Sequence, residues 1–326
     1  MTGLPVGRER RNVPTLPVER EVHVSNRVLS QRVDVYESVT AQIIAAIEDG
    51  VERCVMPWQA ATVPVAMPLN ALTEMRYHGV NVVSLWAQAA TRLYPTGYWA
   101  SYEQWRKLGA QVRKGERGSV IVFYKKLDGD GEPETDDGAD VPRIVLRHSH
   151  VFNFAQVDGW ELPDAAKRPS EVVSDEQIAA FVDATKADIR HGGYQAFYHR
   201  QDDYIAMPEQ QAFRGSPTRS PSEAYYAVLL HELTHWTGAS HRLDRAKAKR
   251  FGDREYAFEE LVAELGAAFL CSAFQLVNLP RSDHAAYIAS WLGILNHDRK
   301  AIFAAASLAQ QAVEYLRVLA GSEVAK

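Results

Sequence analysis

The five residues His231-Glu232-Leu233-Thr234-His235 constrain this chain more than any other feature, because the chemistry they suggest requires a helix. Residues four apart lie on one helical face about one turn apart, so the two imidazoles can converge on a single metal ion such as Zn²⁺. The glutamate beside the first histidine then faces the open coordination position, where it can serve as a general base toward water. The preceding segment SEAYYAVLL, residues 222–230, is apolar at helical spacing and would bury one side of that helix.

A third ligand can come from two places. HELTHWTGASH fits the pattern HExxHxxGxxH, which would recruit His241 after a turn at Gly238. That arrangement also needs a methionine turn downstream, and Met1, Met56, Met67, Met75 and Met207 all precede the motif. The competing source is FEELVAELG, residues 258–266, where Glu260 and Glu264 stand one turn apart on a second helix. One such acid would bind the metal, and the other would hydrogen-bond a ligand histidine and fix its tautomer. The assignment is Glu260 as ligand with Glu264 behind it. Glu264 as ligand is the alternative, and Glu259, roughly 100° around the helix, is set aside. Leu261, Val262, Leu265 and Phe269 surround these acids, which argues against an exposed face.

Zn²⁺ is the expected ion, and Mn²⁺ or Co²⁺ suits the same ligands. An open site of this kind predicts amide hydrolysis, with Glu232 carrying the proton to the leaving nitrogen. Tyr256, His284 and His297 are candidate donors to the oxyanion. The strand Tyr204–Pro208 is expected to offer its edge to an extended peptide.

Three hundred and twenty-six residues favour two domains. Hydrophobic residues at 46% and charged ones at 24% exclude a largely disordered chain or a coiled-coil rod. Cys54 and Cys271 are too few and too far apart for a disulfide framework, which points to a reducing compartment. With no apolar run long enough for a bilayer, and an N-terminus lacking a secretory core, a cytoplasmic protein without a membrane partner is expected.

Residues 1–33 read as a flexible basic arm. Val35, Val39, Ile43 and Ile47 predict a helix stopped at Asp49-Gly50, followed by helices over Val80–Ala90 and Tyr102–Lys107. Strands are expected at 119–124, 143–147 and 150–154, with an acidic loop at 128–140 between the first two. Residues 161–173 read as a linker. Beyond it, Ser174 and Gln177 form a capping box, a strand is expected at 204–208, and helices near 222–237, 254–276, 282–296 and 298–319. The predicted class is α+β: a small α+β domain over 34–160 and a mostly helical domain with a minor sheet over 174–326.

The net charge is −5, so any nucleic-acid binding must come from a local patch. Residues 101–126 supply one: Arg106, Lys107, Arg113, Lys114, Arg117, Lys125 and Lys126 against Glu103 and Glu116. Tyr98, Trp99, Tyr102, Trp105, Phe123 and Tyr124 interleave with them. Cations along phosphates, with rings on which bases stack, are what sequence-tolerant binding of single strands requires. The opposing interpretation is a basic surface over an aromatic core that buries Trp99 and Trp105.

DVYESVT (34–40), MPW (56–58), PLN (68–70), YHGVNVVSLW (77–86), GAQVRKGERG (109–118) and VFNFAQ (151–156) follow one another in an order that resembles the N-terminal single-stranded-DNA-binding domain of ArdC antirestriction proteins and TraC-type plasmid primases. HELTHWTG, RLDR and EELVAELGAAFL resemble the zincin-like metallopeptidase domain of the same family. The resemblance implies a protein of a conjugative plasmid or mobile element. Such a protein would bind incoming single-stranded DNA, help it evade restriction, and carry a metal site built from His231, His235 and a glutamate of the EELVAE block. A restriction component is the protein substrate this suggests, and no primase active site is expected. Two simpler readings use the same residues: a DNA-binding module whose metal site is only structural, and a metallopeptidase with no DNA role.

Overall fold

Apolar residues every third or fourth position on several helices, and β-branched runs between them, build the α+β architecture of this chain. The computed structural model describes residues 34–53, 56–59, 65–127, 143–164, 173–245, 254–278 and 284–321. The basic arm over 1–33 and the acidic loop over 128–140 lie outside the described residues, as does most of the segment read as a linker.

Helix α1 (Val35–Arg53) buries Val39, Ile43 and Ile47, as their spacing predicts. It runs past the expected stop, with Gly50 buried inside it. One internal glycine costs a helix only about 1 kcal/mol, less than the packing of the buried stripe returns. Helix α2 (Val80–Arg92) lies against α1 and carries Val82, Val83, Leu85 and Trp86 into the core.

A four-stranded sheet runs in the order β1 (Leu69–Asn70), β2 (Tyr98–Ala100), β5 (Arg143–Asn153), β4 (Ser119–Leu127). The two segments expected at 143–147 and 150–154 are one strand, continuous through His148 and Ser149 and paired with β4 from Arg143 to Val151. β4 is an edge strand, and α2 covers that edge. The Asn81 side chain donates to the Val122 carbonyl and accepts from its N–H, both at 2.8 Å, which reproduces a strand partner's two bonds. Helix α3 (Tyr102–Lys107) is fixed by a Ser101–Gln104 capping box, and a small ribbon pairs β3 (Gln111–Val112) with β6 (Val157–Asp158).

The later part of the chain is mostly helical. α4 (Asp175–Thr185) starts at the predicted Ser174–Gln177 box. A three-stranded sheet follows in the order β7 (Asp188–His191), β9 (Tyr204–Met207), β8 (Phe197–His199). Then come α5 (Pro221–Trp236), α6 (Arg254–Phe274), α7 (His284–His297) and α8 (Ala301–Leu319). β7 and β8 are too short and polar to show a period in the sequence, and their presence corrects one expectation. β9 pairs on both sides, parallel to β7 and antiparallel to β8, so it has no free edge for a peptide, and β7 and β8 are the outer strands.

One buried cluster runs through Val39, Ile43, Trp58, Trp86, Leu230, Phe269 and Ile302. Trp86 packs on Phe269 with ring centroids 5.6 Å apart, and Tyr36 on Phe303 at 4.7 Å. Residues from both ends of the described chain therefore share one core. No helix among the described residues is long and apolar enough to cross a membrane.

α5 and α6 pack tightly at Gly266. A Cβ there would lie 2.5 Å from Cγ2 and 2.8 Å from Oγ1 of Thr234, whose hydroxyl donates to the Leu230 carbonyl. Gly266→Ala is expected to cost about 1–3 kcal/mol, read as a lower Tm. Adding Thr234→Ala should recover part of that loss, because the clash and its relief are coupled.

Candidate metal centre

Ser220 caps α5 with Glu223 in a reciprocal box, and Pro221 occupies its first turn, so the helix carrying the HExxH residues begins firmly. His231 and His235 sit one turn apart on its buried face with ring centroids 4.9 Å apart. α6 presents Glu260 between them: Oε2 is 3.5 Å from His231 Nε2 and Oε1 is 3.5 Å from His235 Nε2. One donor atom from each of these three residues falls within 4.8 Å of the other two, which is the spacing that three ligands of one ion require. The donor set of two imidazoles and a carboxylate suits Zn²⁺ and its divalent neighbours.

Two more buried glutamates lie behind the histidines. Glu264 Oε2 is 3.8 Å from His231 Nδ1, and its Oε1 accepts hydrogen bonds from Trp58 Nε1 at 3.1 Å and Gln59 Nε2 at 3.0 Å. Glu259, set aside on its helical angle to Glu260, faces the other ligand: its Oε1 is 3.3 Å from His235 Nδ1. The Arg245 guanidinium holds Glu259 by two hydrogen bonds of 3.2 and 3.0 Å and also donates to Thr237 Oγ1 and to the Thr234 carbonyl. Arg245 stands in the RLDR block, so a signal for it was present in the sequence. Trp58 stands in the MPW block about 200 residues upstream, but nothing in the sequence tied it or Gln59 to this site.

Burial alone would raise the pKa of Glu260, but its contacts with His231 and His235 outweigh this and hold it well below the ordinary carboxylate range. Burial likewise opposes a charged His235, yet Glu259 and Glu260 raise its pKa to about 10. The same balance keeps Glu259 below its usual value.

Glu232 is buried and lines a cleft of about 860 Å³ together with His231, His235, Glu260, Tyr256 and Tyr287. Of the three candidate oxyanion donors, Tyr256 is the one whose described side chain reaches this cleft, and burial together with Glu260 raises its pKa. His297 lines a separate cleft of about 700 Å³ beside Phe258 and Ile294, and the His284 side chain lies outside the described residues. His241 is exposed and 3.2 Å from Asp203 Oδ2, apart from the three-residue cluster. Its neighbour Arg242 pairs with Asp203 and stacks on Trp236, its guanidinium carbon 3.9 Å from the ring centroid, tying the end of α5 to the β8–β9 turn.

Residues 176–308 match the model of a zincin-like metallopeptidase, and residues 33–152 match the N-terminal domain of anti-restriction factor ArdC. The metal-free crystal structure of the antirestriction ArdC protein from the R388 plasmid superposes with a TM-score of 0.72 at 40% identity, covering 88% of this chain and 98% of that one. The chain belongs to the ArdC antirestriction family. The Mn(II)-bound structure of the same R388 protein gives a TM-score of 0.70 at 39% identity, covering 89% of this chain and 99% of that one. An uncharacterized protein of Sinorhizobium fredii, y4eC, is 45% identical over 287 residues, which are 87% of this chain and 91% of the relative. The DNA primase TraC of Escherichia coli is 34% identical over 295 residues, 86% of this chain but only 20% of the primase.

In this ArdC-family chain the expected DNA-contacting residues divide. Trp99 is 1% exposed and Trp105 0%, so neither ring is free to stack on a base. Trp99 packs with Leu85 and Val151, and the Trp105 Nε1 donates to the Phe152 carbonyl at 2.9 Å. Tyr98 is half-buried against Trp160, whereas Tyr102, Phe123 and Tyr124 are 45%, 46% and 66% exposed. Arg113 is bound to Glu116 and Asp158 at 3.0 and 3.3 Å, and Arg106 to Glu103 at 2.9 Å. Lys107, Lys114 and Arg117 are exposed, while the side chains of Lys125 and Lys126 lie outside the described residues.

Arg245 and Glu259 have side chains only 2% and 5% exposed, so removing one leaves the other charged and buried. Glu259→Gln is expected to destabilise the protein by about 3–5 kcal/mol, measured by denaturant unfolding.

Proposed function

We propose that this chain is an antirestriction protein that binds single-stranded DNA through its N-terminal half and holds a catalytic Zn²⁺ at His231, His235 and Glu260. The observation that carries this reading is the convergence of those three ligands in a cleft that Glu232 also lines. An ion held there would act as a Lewis acid toward an amide carbonyl and would acidify water. Glu232 takes the proton from the attacking water and returns it to the leaving nitrogen. The Tyr256 hydroxyl, kept protonated by burial and by Glu260, donates to the oxyanion. Glu259 fixes the ring orientation of His235 from behind, and Glu264 faces His231 Nδ1 at 3.8 Å as an electrostatic partner. β8 is an outer strand of its sheet and, unlike β7, lines the cleft, through Phe197 and Tyr198, so an extended peptide can pair along it. The Mn(II) found in the R388 protein supports a divalent ion in the same position.

The nucleic-acid part rests on the ArdC-type N-terminal domain, the kinship with TraC, and the exposed Tyr102, Phe123, Tyr124, Lys107, Lys114 and Arg117. Restriction components are the protein substrates this function suggests.

Elemental analysis should find one bound metal per chain, and His231→Ala or Glu260→Ala should abolish it. Glu232→Gln should retain metal and DNA while peptide cleavage falls about 10²–10⁴-fold. Metal retention with unchanged cleavage would leave Glu232 without its role. In titrations of the full chain with a labelled oligonucleotide, replacing Lys107, Lys114 and Arg117 together should weaken binding. The slope of log affinity against log salt should fall by roughly 0.7 for each phosphate that is no longer neutralised.

A further inference from the structure

Of the arginines near the metal centre, Arg242 is paired with Asp203 and Arg245 with Glu259. Arg219 forms no ion pair among the described residues, although it lines the same cleft as His231, Glu232 and Glu260. Its Nη2 donates to the carbonyls of Glu223 at 3.1 Å and Ala224 at 3.0 Å. Its Nε is shut off from solvent and has no acceptor among the described residues. Asn278 Nδ2 is in the same condition, and the two residues line a small chamber that His231 and Glu264 also border. The nearby Glu223 carboxylate accepts from the Ser220 and Val277 N–H groups at 2.7 and 3.5 Å and acts on Arg219 as a counter-charge without pairing with it directly. A guanidinium keeps its proton even where burial opposes the charge, as it does here. A half-buried guanidinium that makes no ion pair gains from any further anion that reaches it.

The backbone around Arg219 is built for this position. Arg219 and Ser216 exchange two backbone hydrogen bonds of 2.7 and 3.3 Å, closing a tight turn directly before the Ser220 cap of α5. Gly215 passes so close that a Cβ would lie 2.8 Å from the Arg219 carbonyl oxygen. Phe213, Ala224 and Val228 add apolar surface to the same cleft, with Val228 one helical turn before His231. The two arginines and two glutamates of this cleft cancel formally, so a divalent ion at the three ligands would leave the cleft positive.

We infer that Arg219 is a specificity-determining residue that receives the carboxylate of an acidic side chain on the peptide, presented next to the bond lying over His231, His235 and Glu260. The substrate class is accordingly an acidic peptide segment. This rests on the metallopeptidase reading and is tested apart from turnover.

The probes are dipeptides capped with a metal-binding hydroxamate and carrying Asp, Leu or Lys. Their binding to the full-length, metal-loaded chain is measured by calorimetry. The Asp compound should bind at least tenfold tighter than the Leu and Lys compounds. Arg219→Met should remove that preference, and Arg219→Lys should keep part of it. Equal or tighter binding of the Leu compound to the wild type, persistence of the Asp preference in Arg219→Met, or failure of all three to bind would each overturn the inference. If Arg219→Met does not fold, the wild-type ranking and Arg219→Lys decide. Cleavage of matching peptides is read separately. No cleavage with the Asp preference intact removes the peptidase reading and upholds Arg219 as a carboxylate receiver. Cleavage without any acidic preference does the reverse.

Discussion

Everything at the metal centre depends on how closely α5 and α6 approach at Gly266. With no Cβ at that position, the Thr234 side chain seats directly on the α6 backbone. Helical side chains lean toward the N-terminus of their helix, so the carboxylates of Glu259 and Glu260, about two turns before Gly266, reach back over the two histidines. A bulkier residue would push the helices apart. Because Glu260 stands 3.5 Å from both imidazoles, a displacement of even half an ångström would be felt by the whole ligand set.

Bringing Glu259, Glu260 and Glu264 together with two imidazoles and a guanidinium into a nearly dry space is unfavourable unless each finds a partner. Here each does. Arg245 meets Glu259, Glu259 meets His235, Glu260 spans both histidines, and Glu264 is held by Trp58 and Gln59. The acids of this cage favour a cation, since Glu259 and Glu260 raise the pKa of His235 against the effect of its burial. A divalent ion would satisfy the same carboxylates with more charge and with geometry that both imidazoles can share. The cage is thus electrostatically suited to a cation before any substrate is considered.

The parts of this arrangement visible in the sequence are those encoded at helical spacing. His231 and His235 are one turn apart, as are Glu260 and Glu264, and apolar neighbours mark both pairs as buried. The ends of α3, the capping box of α4 and the stripe of α1 were legible for the same reason. Contacts formed between distant segments were not. Nothing local to Glu259 distinguishes a carboxylate that meets His235 from one in water, and nothing local to Trp58 says that its N–H reaches Glu264. The aromatic segment around Trp99 misled in a related way: a ring in a basic stretch serves a core as readily as a base stack, and only the packing of Leu85 and Val151 against it decides. β9 was legible as a short segment ended by Pro208, but an edge is a property of neighbours, and β7 and β8 carry almost no pattern of their own.

Two separate family models match the two halves of this chain, yet the physical unit is larger than either. Trp58 and Gln59 support a glutamate behind His231, the Ser272 hydroxyl donates to the Val65 carbonyl at 2.7 Å, and the Thr40 hydroxyl donates to the Arg299 carbonyl at 2.7 Å. Val39, Ile43, Ile47 and Trp86 are buried in the same cluster as Phe269, Ile302 and Ala306. Cutting the chain between the two matches would expose that apolar surface on both pieces, at roughly 25 cal/mol for each Å² returned to water. It would also leave Glu264 buried without its two donors. An isolated N-terminal fragment therefore loses part of its own core along with its partner, and the metal centre loses part of its support. The exposed basic and aromatic residues of the N-terminal part and the metal cleft therefore belong to one folded body with a shared core.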